Sequence, residues 1–204
     1  MNDIYFISDL HLFHTNIIQY DNRPFSSLEE MHEVLVANWN ARVKKGDTVW
    51  VLGDFALTWK KADQEKVESI LARLNGQKHL VIGNHDRDQC VKAKGWVTTQ
   101  HYKELKLDRG GIHKQRIVMS HYCFRSWSQS HRGSFMLHGH SHHNLEDIGG
   151  KVLDVGCMGH NYAPISIDEV EQFMSTRHVV ACDHHVPEEP GELDTPGATR
   201  RTDE

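Results

Sequence analysis

The sequence predicts an α/β fold in which parallel strands are joined by helices, on three observations. Short apolar runs recur through the first half, and each ends in a glycine or a polar cluster. Stretches with helical spacing separate those runs. The resulting order, strand–helix–strand–helix–strand, is the one a parallel sheet needs, because parallel neighbours require a crossover connection.

Residues 3–8 (Asp-Ile-Tyr-Phe-Ile-Ser) are an apolar run suited to a buried strand, and Asp9-Leu10-His11 follows directly. Ser26-Ser27-Leu28-Glu29 has the form of a capping box. Behind it Leu28, Met31, Leu35 and Trp39 recur at helical spacing. Lys45-Gly46-Asp47 predicts a turn, and residues 48–52 a second buried strand closed by Gly53-Asp54. Asp63 is placed to cap a second helix whose apolar face is Val67, Ile70, Leu71 and Leu74, and Asn75-Gly76 stops it. Residues 78–82 form the third strand, ending in Gly83-Asn84-His85-Asp86. The second half changes character. Residues 102–107, 115–120, 134–137 and 151–155 read as short strands, with Asp108-Arg109-Gly110-Gly111 suited to a hairpin turn. This half is therefore expected to be more antiparallel. Asp168 is placed to cap a last helix running to Met174. From Asp183 apolar periodicity ceases, so the sequence predicts one domain over residues 1–182 and a disordered tail over residues 183–204.

Composition narrows the function classes. Of 204 residues, 38% are hydrophobic and 25% charged, the proportions of a globular domain with a sizeable core. No apolar run reaches membrane-spanning length. The N-terminus has no basic region and no cleavage site, so a cytoplasmic protein is expected. Cys90, Cys123, Cys157 and Cys182 form no C-x-x-C pair and suit ordinary reduced thiols. A net charge of −5 argues against a surface built to bind long nucleic acid. There is no Walker A loop, no G-x-S-x-G elbow and no H-E-x-x-H helix. What departs from the ordinary is the count of 17 histidines, several of them clustered, which points to metal.

Five polar marks fall just after predicted strands: Asp9-x-His11, Gly53-Asp54, Gly83-Asn84-His85-Asp86, Ser120-His121 and Gly139-His140-Ser141-His142. The carboxyl ends of strands are where an α/β sheet places its site. Each mark alone is common; the ordered set is specific. Carboxylate, imidazole and amide oxygen together satisfy a hard-to-borderline divalent cation. Residues two apart on a strand share a face, so Asp9 with His11, and His140 with His142, can point the same way. Asp54 has two oxygens and can bridge two ions, while Asn84 offers a neutral carbonyl. Two divalent ions against Asp9, Asp54 and a hydroxide leave the site positive by about one charge, attractive to a phosphate dianion.

This series resembles the calcineurin-like metallophosphoesterase superfamily, in order, over roughly residues 1–175. The segments Asp9-Leu10-His11-Leu12-Phe13-His14-x-Asn16-Ile17-Ile18, Leu137-His138-Gly139-His140-Ser141-His142 and Asn161-Tyr162-Ala163-Pro164-Ile165-Ser166-Ile167-Asp168-Glu169-Val170 resemble its small single-domain bacterial and phage members in particular. The resemblance implies a four-layer α/β/β/α sandwich and two divalent metal ions. One would be held by Asp9, His11, Asp54 and His142, the other by Asp54, Asn84, His121 and His140. Manganese is the first choice it implies, and iron, zinc or nickel also suits mixed nitrogen and oxygen ligation.

The implied activity is hydrolysis of a small phosphomonoester or phosphodiester, a nucleotide among them, by a metal-bridging hydroxide. His85 would be the catalytic histidine at the leaving-group oxygen, with Asp86 orienting it and favouring its charged form. His14, Arg23 and Arg125 are candidates to contact substrate, with His131 in a nearby loop. Trp127 is suited either to base stacking or to packing. Alternation turns His138 inward behind the ligand pair and His143 to the surface. His184 and His185 belong to the tail. Two other readings use the same residues: a metal-bearing scaffold without catalysis, and a nuclease, which would need a basic groove. The expected partner is a small phosphate ester, with no membrane and no long nucleic acid. Oligomeric state leaves no trace in the sequence.

Overall fold

Strands β1 (Ile4–Ile7) and β2 (Thr48–Val51) are apolar on both faces, so each has to be covered twice. In the computed structural model, which describes residues 2–108 and 114–180, this is what happens. Tyr5, Ile7, Val49 and Val51 face one buried cluster, whereas Phe6, Trp50 and Leu52 face another. β1 and β2 lie at the heart of a five-stranded sheet with β3 (Gln77–Val81), β4 (Trp96–Gln100) and β9 (Ile165–Ser166), in the order β4-β3-β2-β1-β9. All its pairings are parallel except that of β1 with β9. The second sheet has the order β5-β6-β7-β8, from β5 (Tyr102–Leu107), β6 (Gln115–Ser120), β7 (Phe135–His138) and β8 (Val152–Asp154).

The helices are α1 (Ile17–Tyr20), α2 (Leu28–Arg42), α3 (Asp63–Arg73), α4 (Asp88–Val91) and α5 (Ile167–Ser175). Met31, Leu35 and Trp39 of α2, with Val67, Ile70 and Leu71 of α3, cover the outer face of the first sheet. Burying each such side chain contributes about 1.5–3 kcal/mol. Between the sheets, Phe6, Trp50, Leu52 and Val81 meet Ile117, Met119, Phe135 and Leu137. Val170 and Met174 bring α5 into this same cluster. The result is the two-sheet α/β sandwich with flanking helices that the sequence predicts.

Several details differ from expectation. The second sheet is mixed: β5 and β6 are antiparallel, but β6, β7 and β8 run parallel. Alternating short runs do not distinguish the two arrangements, because connection path sets direction. β4 shows only exposed or half-buried residues and β9 has two residues, so neither carries an apolar signal. α5 is capped by Ser166, in a reciprocal box with Glu169, and not by Asp168. In α2 the cap is Ser27 with Glu30 as partner, one residue on from the expected Glu29. Asp63 lies inside α3, where its carboxylate accepts from the backbone N–H groups of Trp59 and Lys60. The turn expected around Arg109 and the tail from Asp183 fall outside the described residues. Among the described residues, no helix is long and apolar enough to cross a membrane.

For the site, direction matters most. β1, β2 and β3 are parallel, so Asp9, Asp54 and Asn84 emerge at one end of the first sheet. β6, β7 and β8 are parallel, so His121, His140 and Asp154 emerge at one end of the second. A bridge between Ser8 and Gly156 ties the two ends together.

Candidate metal centre

Backbone conformation, rather than strand alternation, aims the ligand-type side chains. Asp9, His11, Asp54, His140 and His142 have φ between 48° and 69°, in the left-handed region. Asp and His tolerate that region better than most residues, but each still costs about 1 kcal/mol or more. The chain therefore turns sharply past each strand end. Asp9 N–H donates to the Gly53 carbonyl (3.1 Å) and His11 N–H to the Asp54 carbonyl (2.9 Å), which locks two of these turns side by side. Glycine is needed where the turns touch. A Cβ on Gly53, at φ +90°, would collide with the His121 ring, and one on Gly139 would collide with Ser8 and Asp9.

The side chains converge. His11 Nε2 lies 3.1 Å from His142 Nε2 and 3.5 Å from Asp54 Oδ2. His142 Nε2 lies 3.6 Å from Asp9 Oδ1. On the other side of Asp54, the same Oδ2 is 3.4 Å from His121 Nε2, which is 2.9 Å from Asn84 Oδ1. The His140 ring lies 5.1 Å from that of His121, and its backbone N–H donates to Asp9 (3.1 Å). Two triads, Asp9–His11–His142 and Asp54–His121–His140, each bring ligand atoms within 4.8 Å of one another, as does His11–Asp54–His85. All seven candidate ligands thus meet at the joint rim of the two sheets.

Electrostatics fit cations there. Asp9, His11, Asp54 and His121 are almost wholly buried. Burial pushes Asp9 up to about 6 and His11 down to about 3. Burial would also raise Asp54, but the hydrogen bond and charge of His121 outweigh it and hold Asp54 at about 2. By the same pairing His121 rises to about 8, against its own burial. Two buried carboxylates ringed by imidazoles are a donor set that divalent ions suit.

Supporting contacts hold the set in place, and several were not legible as motifs. His142 Nδ1 lies 2.7 Å from Asp21 Oδ1, which fixes the ring so that Nε2 faces Asp9 and His11. His121 Nδ1 lies 2.8 Å from the Leu52 carbonyl, with the same effect. Ser8 Oγ donates to Asp9 Oδ2 (2.7 Å). Asp154 accepts from Ser141 Oγ (2.7 Å) and from His143 N–H (3.0 Å), bracing the loop that carries His140 and His142.

Other expected roles need correction. Asp86 does not orient the His85 ring. It is buried and accepts from the N–H groups of Asp54 (2.8 Å), Phe55 (2.9 Å) and Gly83 (2.9 Å), so it clamps two ligand loops together. Its neighbour His85 stays 38% exposed, with Nε2 4.0 Å from Asp54 Oδ2. Arg23 is not placed for substrate. Its buried guanidinium donates to the carbonyls of Asp9 (2.8 Å) and Leu10 (2.9 Å) and pairs with Asp21 (2.9 Å). Arg125 lines a crevice with Trp127, Ile148, Gly149, Gly150 and Val180, which contains none of the cluster. Trp127 packs there and donates to the Ser134 carbonyl (3.2 Å). His138 is buried beside Gly139, its Nδ1 2.9 Å from that carbonyl. His143 is exposed, as expected, although its Nε2 lies 2.9 Å from the Gly156 carbonyl. His14 is half-buried, with Nδ1 3.4 Å from His11 Nδ1 and its ring 5.8 Å from that of His85.

A two-sheet sandwich with histidines and aspartates gathered at its joint rim defines the architecture of a metal-dependent phosphoester hydrolase. The chain belongs to the calcineurin-like phosphoesterase family, whose model matches residues 3–201. It is 32% identical over 190 residues to an uncharacterised protein of Methanocaldococcus jannaschii, covering 88% of this chain and 96% of that one. It is 26% identical over 218 residues to the gene 66 protein of Mycobacterium phage L5, covering 94% and 99%. A solved structure of a protein of unknown function from Aquifex aeolicus shares the fold, with a TM-score of 0.65 at 25% identity over 85% of this chain and 100% of that one.

Proposed function

We propose that the protein hydrolyses small phosphomonoesters or phosphodiesters with two divalent cations, manganese first among them. One cation would be held by Asp9, His11, Asp54 and His142, the other by Asp54, Asn84, His121 and His140. The observation that carries this reading is the position of Asp54: one oxygen, Oδ2, lies 3.5 Å from His11 Nε2 and 3.4 Å from His121 Nε2, between the two ligand groups. When bound, such ions polarise phosphoryl oxygens and acidify a water.

The chain's own residues supply the rest. His85 is the half-exposed titratable group beside Asp54, and its backbone N–H donates to Asp54 Oδ1 (2.8 Å), fixing where the ring begins. As a water oxygen bonds to phosphorus and the ester P–O bond breaks, the proton on His85 Nε2 passes to the departing oxygen. His14, against His11 and near His85, is placed to hold a phosphate oxygen.

A small ester is favoured over long nucleic acid. Lys106, Lys114, Arg116 and Arg132 do line a common cleft, but at the start of β6, while His121 follows its other end. Elemental analysis of protein loaded with manganese tests the reading: two ions per chain are expected, falling to one or none in Asp54→Asn. One ion per parent chain, or no hydrolysis of any aryl phosphate mono- or diester by the loaded parent, overturns it.

A further inference from the structure

An exposed aromatic side chain is held by Arg87, two residues beyond His85. Trp59 is 65% exposed, unusual for so large an apolar side chain. The Arg87 guanidinium lies 4.0 Å above its ring, a cation–π contact that fixes the indole's orientation. Both residues are tied to the centre by backbone. Leu57 bridges Asp86 in antiparallel pairing, so the segment that carries Trp59 joins the one that carries His85 and Arg87. Asp86 itself is buried, whereas its neighbours His85 and Arg87 are both accessible. Asp63 holds the segment from the other side, accepting from the N–H groups of Trp59 (3.0 Å) and Lys60 (2.9 Å). The platform is therefore built before any ligand arrives.

We infer that Trp59 and Arg87 form a specificity subsite that receives a planar ring, such as a nucleobase, on the leaving-group side of the ester. This rests on the phosphoesterase reading. At 65% exposure, much of the indole is accessible for a ring to stack on. The guanidinium keeps N–H donors for ribose or a second phosphate. His85, at the leaving-group oxygen, lies two residues from Arg87, so the departing group is the part of the substrate that reaches them.

The test compares adenosine 5′-monophosphate with methyl phosphate, using manganese-loaded protein. Trp59→Leu is expected to lower the ratio of kcat/KM for the nucleotide over methyl phosphate about tenfold, and Trp59→Phe to retain most of that ratio. An unchanged ratio in Trp59→Leu overturns the subsite, as does a loss in Trp59→Phe equal to that in Trp59→Leu. Binding of the nucleotide and of inorganic phosphate, measured by calorimetry on the same proteins, separates the two readings. A parent that hydrolyses neither ester fails as an enzyme, and the ratio of the two affinities then decides the platform by the same criterion.

Discussion

The Nδ1 atom of His142 lies 2.7 Å from Oδ1 of Asp21, while Oδ2 of the same carboxylate pairs with Arg23 at 2.9 Å. Arg23 in turn donates to the Asp9 carbonyl at 2.8 Å. One chain of contacts thus runs from a candidate ligand on the second sheet, through Asp21 and Arg23, to the backbone of a candidate ligand on the first.

Asp21→Asn tests that chain. It removes the charge that raises His142 and sets its ring, while keeping the side chain's shape. Outer contacts of this kind are worth about 10–100-fold in metal affinity. Calorimetric titration with manganese is expected to show a loss in that range, with turnover largely recovered at saturating metal. An affinity equal to the parent's would show that Asp21 serves Arg23 alone.

His85 and Asp86 are adjacent, and their substitutions are expected to behave in opposite ways. His85→Asn should keep its metal and its melting temperature and lose about 10²–10⁴-fold in kcat. Elemental analysis beside steady-state rates on an aryl phosphate checks both halves. Full turnover on every substrate would remove His85 from the chemistry.

Asp86→Ala should instead unfold more easily. Three backbone N–H groups within 2.9 Å lose their buried acceptor, at about 1–3 kcal/mol each. A melting temperature lower by about 10 °C or more is expected, with metal binding weakened because the loops of Asp54 and Gly83 separate. If Asp86→Ala melted like the parent and lost only turnover, Asp86 would be a partner of His85 after all.

Glu169 gives a pH prediction remote from the metal centre. Burial would raise its carboxyl, but the bonds from Arg42 and Ser166 outweigh it and hold it at about 2. A folded-state value below the ordinary one of 4.5 contributes stability that is complete above pH 4.5 and lost as pH falls towards 2. The side chain is 45% exposed, so solvent screening limits the effect to about 1 kcal/mol or less. Chemical denaturation at pH 6 and pH 3 should show Glu169→Gln less stable than the parent at the higher value, with that difference about halved at the lower. A constant difference would assign the effect to capping geometry instead.

Much of this protein is legible in its amino acids. The alternation of apolar runs and helical stretches places β1, α2, β2, α3 and β3 within a residue or two, because burial on both strand faces and one helix face leaves a periodic trace. The ligand-type residues from Asp9 to His142 are legible for a related reason: metal chemistry restricts residue type, and strand ends restrict position. What the chain does not display is what its polar side chains do once folded. Asp86 adjoins His85 in sequence yet bonds to backbone around Asp54, 32 positions away; Arg23 looks like a surface cation and is buried under Asp9. Asp21 carries no motif at all, and it braces His142 at a separation of 121 residues. Residue type and spacing encode which atoms are available. Which of them face the cluster depends on parallel strand direction and on left-handed turns, and both arise from long-range packing that adjacent residues do not record.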